Sequence, residues 1–445
     1  MIRRFVIAII FGSACFAQTK NPVDVPRMEQ IIQSYVPKQF MGTVLVAEDG
    51  KVLLDKGYGF ANLEWQVPNT STTKFRLGSI TKQFTATSIL LLEEHGKLKV
   101  EDPVKKYMPD APAAWDKITI FNLLTHTSGI PNFTSFPDYR DTEAAATTPE
   151  KLVARFRDKP LDFEPGTKWS YSNSGYVLLG YLIEKISGQS YSDFLQQNIF
   201  TPLGMKDSGY DSNFAVIEHR AAGYTRSKDG PVNAGFINMT IPFSAGALYS
   251  TTEDLLRWEQ GLFGGKVLKP ASLAKMTTPF KEDYAFGLGV ATKNGRKQIA
   301  HGGGIEGFNT SMTYFPEEKL VVIVLANING PFADTIDNQL AQVIHGEKVV
   351  LAAERKEVSV SQDILRKYVG TYELAPDFSL VMTFENGQLM SQATNQNKNP
   401  LFAESESRFF LKVVDAQVEF FKNDKGEVTH LVLYQGGREM KGVRK

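Results

Sequence analysis

Cysteine is almost absent from this sequence: of 445 residues, only Cys15 is one. A chain with a single thiol forms no internal disulfide, so its stability must come from packing. A dominant charge is missing as well. Lys and Arg number 49, Asp and Glu number 49, and the formal net charge is zero, with no long run of either sign. That balance excludes the electrostatic footprint of a nucleic-acid binder. No stretch beyond the first 17 residues is long and apolar enough to cross a bilayer, so no transmembrane segment is expected. Histidine is scarce, and His-Glu-x-x-His does not occur. His95, His126, His219, His345 and His430 show no metal-ligand spacing and are read as structural; no metal and no organic cofactor is expected.

What is present starts with 42% hydrophobic residues, enough for a large core and more than one domain. The N-terminus reads as a signal peptide over residues 1–17. Arg3-Arg4 gives a basic start, residues 5–16 form a short apolar run, and Ala17 suits cleavage. The chain is therefore expected to be exported, to the periplasm or the medium. Phe11-Gly-Ser-Ala-Cys15 also resembles a lipoprotein signal, which would place a lipid anchor on Cys15. Gly12 stands where such signals usually carry an aliphatic residue.

Three short spacings carry chemistry: Ser79-Ile-Thr-Lys82, Tyr171-Ser-Asn173 and His301-Gly-Gly303. Ser-x-x-Lys occurs three times, and the surroundings separate the copies. Ser71 to Lys74 lies in a polar stretch, and Ser272 to Lys275 on a short helix after Pro270. Only Ser79 heads a long run without Gly or Pro, residues 80–94, stopped by Gly96. Ser79 is thus expected at the first turn of a helix of about four turns. Lys82 shares its face with Ala86, Ile89 and Leu90. A lysine on an apolar face is costly unless paired or neutral, and a neutral lysine can accept a serine proton.

Tyr171-Ser-Asn173 is expected on a loop feeding a buried helix that Gly188 closes. His301-Gly-Gly-Gly304 follows a hairpin turning at Asn294-Gly295 and precedes two strands, residues 309–314 and 320–326. Its glycines are expected at a sheet edge where backbone approaches a ligand closely. Gly302-x-Gly304-x-x-Gly307 matches a dinucleotide fingerprint, but no helix follows, so that reading is rejected. Residues 42–57 read as a hairpin turning at Asp49-Gly50 and joining the same antiparallel sheet. Residues 82–260 read as helix and loop. A helix over residues 335–351 would close the sheet, followed by a polar linker. From about Ile364 short alternating strands take over, meeting at Asn386-Gly387 and at residues 423–426.

In this order, the three motifs resemble the class C β-lactamase and DD-peptidase family of penicillin-recognising serine hydrolases. Leu123-Leu-Thr-His-Thr-Ser-Gly-Ile130, Pro202-Leu-Gly-Met205 and Ser244-Ala-Gly-Ala-Leu-Tyr-Ser250 extend the likeness. It implies an α+β fold, an antiparallel sheet flanked by helices with a mostly helical subdomain, over residues 24–352. A linker at 353–363 and a small β-barrel accessory domain at 364–445 would follow. The resemblance makes Ser79 the nucleophile, and Lys82 and Tyr171 the pair that moves its proton. Asn173 would orient substrate and lysine, and Gly303 would lie in the sheet-edge triad. The N–H groups of Ser79 and Gly304 would form the oxyanion hole. His301 stands where many β-lactamases of the family have lysine, which argues against β-lactam hydrolysis. An imidazole with an ordinary pKa should gain charge, and pull on a substrate carboxylate, on acidifying toward pH 6. The expected function is a serine hydrolase acting through an acyl-enzyme on peptide or amide substrates, with a D-residue near the scissile bond as one option. A carboxylesterase, a β-lactamase or a peptide-binding protein without turnover are the alternatives.

Overall fold

The computed structural model describes residues 23–227, 229–435 and 438–445. The signal peptide expected at 1–17 and the lipid site at Cys15 lie outside the described residues. A six-stranded antiparallel sheet forms from Gly42–Glu48 (β1), Lys51–Tyr58 (β2), Gly289–Lys293 (β3), Arg296–Ile305 (β4), Phe308–Phe315 (β5) and Leu320–Ala326 (β6). Its order is β3-β4-β5-β6-β1-β2. The β1–β2 and β3–β4 hairpins turn at Asp49-Gly50 and Asn294-Gly295, with positive φ at all four residues, as a type I′ turn requires.

β6 is buried throughout because both faces of the sheet are covered. Side chains alternate. Val44, Val46, Val322 and Val324 pack on the helices Val25–Gln33 (α1) and Phe332–Ile344 (α5). Leu45, Ala47, Ile323 and Leu325 join the larger core on the other face. That core holds the helices Thr81–Glu94 (α2), Asn173–Ser187 (α3) and Thr252–Phe263 (α4).

Every residue of α2 from position 81 to 92 is buried, polar ones included. Such groups must find partners. Thr85 Oγ1 bonds the Ser244 carbonyl, Ser88 Oγ the Phe84 carbonyl, and Gln83 Oε1 accepts from Trp258 Nε1. A short sheet pairs Phe75–Arg76 and Gly209–Tyr210 with Leu248–Ser250, so the middle region is not only helix and loop. The closing helix α5 also differs from expectation. It begins at Phe332 and ends at Ile344, because Gly346 takes φ +74° just past its end.

Residues 370–444 form a nine-stranded antiparallel sheet whose two end strands, Lys398–Pro400 and Phe402–Ala403, are consecutive in the chain. The sheet curls into a nearly closed barrel. Its interior is filled by Tyr368, Tyr372, Leu389, Phe409, Val418 and Leu431. Asp415 ties it to the rest of the chain, accepting from Arg355, Gln339 and Tyr35. Among the described residues no helix is long and apolar enough to cross a membrane.

Candidate active site

Ser79 lies in a 3-10 turn, Gly78–Ile80, that runs into α2, rather than in the first turn of the α-helix itself. The approach to it is pinned on both sides. Leu77 N–H bonds the Leu248 carbonyl at 2.8 Å, and Thr310 Oγ1 of β5 bonds the Leu77 carbonyl at 2.8 Å. Gly78 then takes φ +54° against Gly304, where a methyl group would come within 2.8 Å of Gly304 N. A methyl at Gly303 would lie 1.9 Å from the Leu77 oxygen. The glycine-rich stretch of β4 is thus shaped by the chain's own serine-bearing segment. It is a sheet edge, because β3 pairs with β4 only as far as Ala300.

Lys82 is fully buried. Its Nζ lies 3.0 Å from Ser79 Oγ, 2.8 Å from Asn173 Oδ1 and 2.8 Å from the Ala245 carbonyl. A carbonyl and an amide oxygen only accept. A neutral amine would give its two N–H bonds to them and aim its lone pair at the serine. Burial holds the lysine well below its usual range. The rings of Tyr171 and Tyr176, 4.9 and 5.5 Å away, favour the ammonium. That attraction is worth ~0.5–2 kcal/mol, less than the several kcal/mol of removing an ion from water, so desolvation wins.

Tyr171 donates to Ser79 Oγ at 2.8 Å, and burial pushes its phenol above the ordinary range, so it stays protonated. Asn173 is the first residue of α3 rather than a loop residue. Its N–H bonds Asn132 Oδ1 and its Nδ2 bonds Thr134 Oγ1, which leaves Oδ1 facing Lys82. His126 is buried with φ +56°, and its Nδ1 accepts from Ser172 N–H. Its ring lies 4.4 Å from that of Tyr171 and supports the tyrosine.

His301 Nδ1 lies 2.6 Å from the Gly302 carbonyl, and Nε2 lies 3.0 Å from Tyr284 Oη. The carbonyl can only accept, so Nδ1 carries the proton and Nε2 accepts from Tyr284. Burial holds the imidazole down to about 4. The charge expected to appear toward pH 6 is therefore corrected: the ring stays neutral until pH nears 4.

Ser79, Asn173 and Gly304 open on a cavity of about 180 Å³. Phe133, Thr134, Tyr139, Ile237, Pro242, Ile305 and Glu306 line it as well, with Gly78, Ala245 and Gly246. None of the described residues of 364–445 lines it. Among the described residues no group of three or more His, Cys, Asp or Glu is placed to hold a metal ion.

A β-lactamase family model matches residues 29–345. The chain belongs to the β-lactamase family. It is a serine hydrolase of the β-lactamase and penicillin-binding type, and its fold is that of this family. A domain of unknown function, DUF3471, matches residues 354–444. Among relatives, penicillin-binding protein 4* of Bacillus subtilis is 31% identical over 434 residues, covering 91% of this chain and 95% of that protein. The octameric penicillin-binding protein homologue from Pyrococcus abyssi superposes with a TM-score of 0.68 at 27% identity, covering 94% of this chain and 100% of that one. D-amino acid amidase from Ochrobactrum anthropi SV3, complexed with D-phenylalanine, gives 0.64 at 26% identity, over 72% and 97%.

Several residues of this β-lactamase-family site have contacts that the sequence does not reveal. Tyr284 follows three charged residues and reads as a loop tyrosine, yet it is buried and bonds His301. Ala245 acts through its backbone oxygen, which no side-chain pattern reveals. Thr134 and Asn132 fall in a loop whose shape the sequence leaves open, and only the fold brings them to Asn173.

Proposed function

We propose that the chain hydrolyses amides or short peptides through an acyl-enzyme on Ser79. The observation that carries this is the placement of Ser79 Oγ between Lys82 Nζ at 3.0 Å and the Tyr171 hydroxyl at 2.8 Å. Neutral Lys82 takes the serine proton as Oγ attacks the carbonyl carbon. The N–H groups of Ser79 and Gly304 stabilise the oxyanion, each such donor being worth ~3 kcal/mol. As the C–N bond breaks, the leaving amine takes a proton from the Tyr171 hydroxyl, which Lys82 replenishes. Water then adds to the acyl carbon, and the acid leaves as Oγ regains its proton. Lys82 Nζ and the Tyr171 hydroxyl both lie on Ser79 Oγ, and a proton passed between them goes by way of that oxygen.

The amidase likeness supports an amide substrate, with a D-residue at the acyl position. Neutral His301 and the lack of a cation on the cavity wall speak against a β-lactam carboxylate. The test is kcat/KM at pH 7 for D-alanine amide, 4-nitrophenyl acetate and a chromogenic cephalosporin. The amide or the ester should exceed the cephalosporin. A cephalosporin turned over fastest would make this a β-lactamase. Stable penicillin binding with no turnover of any substrate would make it a binding protein.

A further inference from the structure

The cavity beside Ser79 has one charged side chain on its wall, Glu306. It sits in the turn between β4 and β5, and its Oε1 accepts from Arg140 Nη1 at 2.9 Å. The same Nη1 donates to both oxygens of Glu143 at 3.0 Å. Exposure divides the cluster by sign: the side chains of Glu143 and Glu306 are 11% and 16% exposed, and that of Arg140 is 71% exposed. Two negative charges share one positive charge, and the positive one faces solvent. The rest of the wall is neutral, apolar at Phe133, Ile237, Pro242 and Ile305, and polar at Thr134 and Asn173. A carboxylate entering this cavity meets like charge. An ammonium meets a charge-assisted acceptor in a partly desolvated place.

We propose that Glu306 is a specificity-determining residue that binds the ammonium group of an amino-acid amide or of the first residue of a short peptide. The apolar wall takes that residue's side chain, and Arg140 holds the carboxylate in position. This rests on the amide-hydrolase reading of Ser79. A Glu306 that only tied residues 139–143 to the β4–β5 turn would have no influence on the choice between charged and neutral substrates.

The full chain is assayed with D-phenylalanine 4-nitroanilide, its N-acetyl derivative and its N-succinyl derivative. At pH 6.5 the free amine should exceed the N-acetyl compound in kcat/KM by at least ~10-fold, and the N-succinyl compound by more. Glu306→Gln should bring the amine-to-acetyl ratio within about threefold, chiefly through KM. Arg140→Gln removes the cation that Glu306 shares, while the glutamine amide can still donate to the carboxylate, and should keep or raise the ratio. In the unaltered chain the ratio should fall as pH rises through about 8, where the substrate α-amine loses its proton. A ratio that Glu306→Gln leaves unchanged, or an unaltered chain that prefers the N-acetyl compound, overturns the inference while the hydrolase reading stands. No cleavage of any of the three overturns the amide-hydrolase reading and this inference with it.

Discussion

Replacing Gly303 by alanine separates a glycine that the site requires from one that it does not. The added methyl would stand 1.9 Å from the Leu77 oxygen and 2.4 Å from Thr310 Oγ1. An ordinary contact needs at least ~3.4 Å, so backbone must move by more than ~1 Å. The Leu77 oxygen cannot yield alone, since bonds to Thr310 and Leu248 hold its residue from both sides. Two residues later Ser79 Oγ must keep its bonds of 3.0 Å to Lys82 and 2.8 Å to Tyr171. A misplacement of ~1 Å in such a site costs on the order of 10² in rate. Overpacking of this kind also costs ~1–3 kcal/mol of stability. Gly302→Ala is the control. Its methyl would meet nothing closer than 3.4 Å, the Thr310 oxygen, which is ordinary contact. Both variants are assayed by kcat/KM on 4-nitrophenyl acetate and by thermal unfolding. Gly303→Ala should lose at least ~10² in kcat/KM and melt several degrees lower, and Gly302→Ala should stay within about threefold. Equal losses in the two variants, or an active Gly303→Ala, would refute the steric argument.

Three further outcomes are expected. Lys82→Ala and Tyr171→Phe should each lower kcat by at least ~10², and the double variant should lose far less than the product, because both serve one proton transfer; full additivity would show that one of them acts only by packing. Burial raises Asp337 to about 7 despite hydrogen bonds from Ser311 and Thr313, and Glu259 to about 7. A raised carboxyl contributes stability that is present below its unfolded pKa and lost as pH rises through the folded value. Tm should therefore fall between about pH 5 and 7.5 and level off above, and Asp337→Asn should narrow that fall; a Tm that rises across this window would contradict the assignment. A chain ending at residue 356 should fold and keep kcat/KM within about threefold, since none of the described barrel residues lines the cavity; loss of activity in soluble, folded protein would assign the barrel a part in the site.

The parts of the fold legible in the sequence are those set by local rules. Asp49-Gly50 and Asn294-Gly295 mark their hairpins because few other pairs accept positive φ twice. The run from Leu320 to Ala326 reads as a buried strand because both sheet faces are covered. Gly188 and Gly96 stop their helices as expected. The three motifs, with Gly304, give seven candidate residues, but not why they meet. Ser79 and His301 are far apart in sequence, and the packing of Leu77 and Gly78 against Gly303, Gly304 and Thr310 brings their segments together. The sequence offered a glycine-lined edge for a ligand. The structure fills part of that edge with Leu77 and Gly78. Tyr284, Ala245 and Glu306 depend on long-range packing and backbone groups, so no spacing announces them. The protonation of His301 is equally a tertiary property, fixed by burial and by Tyr284.

Ser79 is proposed as the nucleophile, activated by Lys82 and Tyr171. Intact mass and peptide mapping after treatment with a fluorophosphonate test it directly. One phosphonyl group should attach to Ser79, with loss of fluoride, and Ser79→Ala should take up none. Labelling of Ser79 should slow sharply in Lys82→Ala. A label on any other serine, or full labelling of the Ser79→Ala protein, would contradict the account.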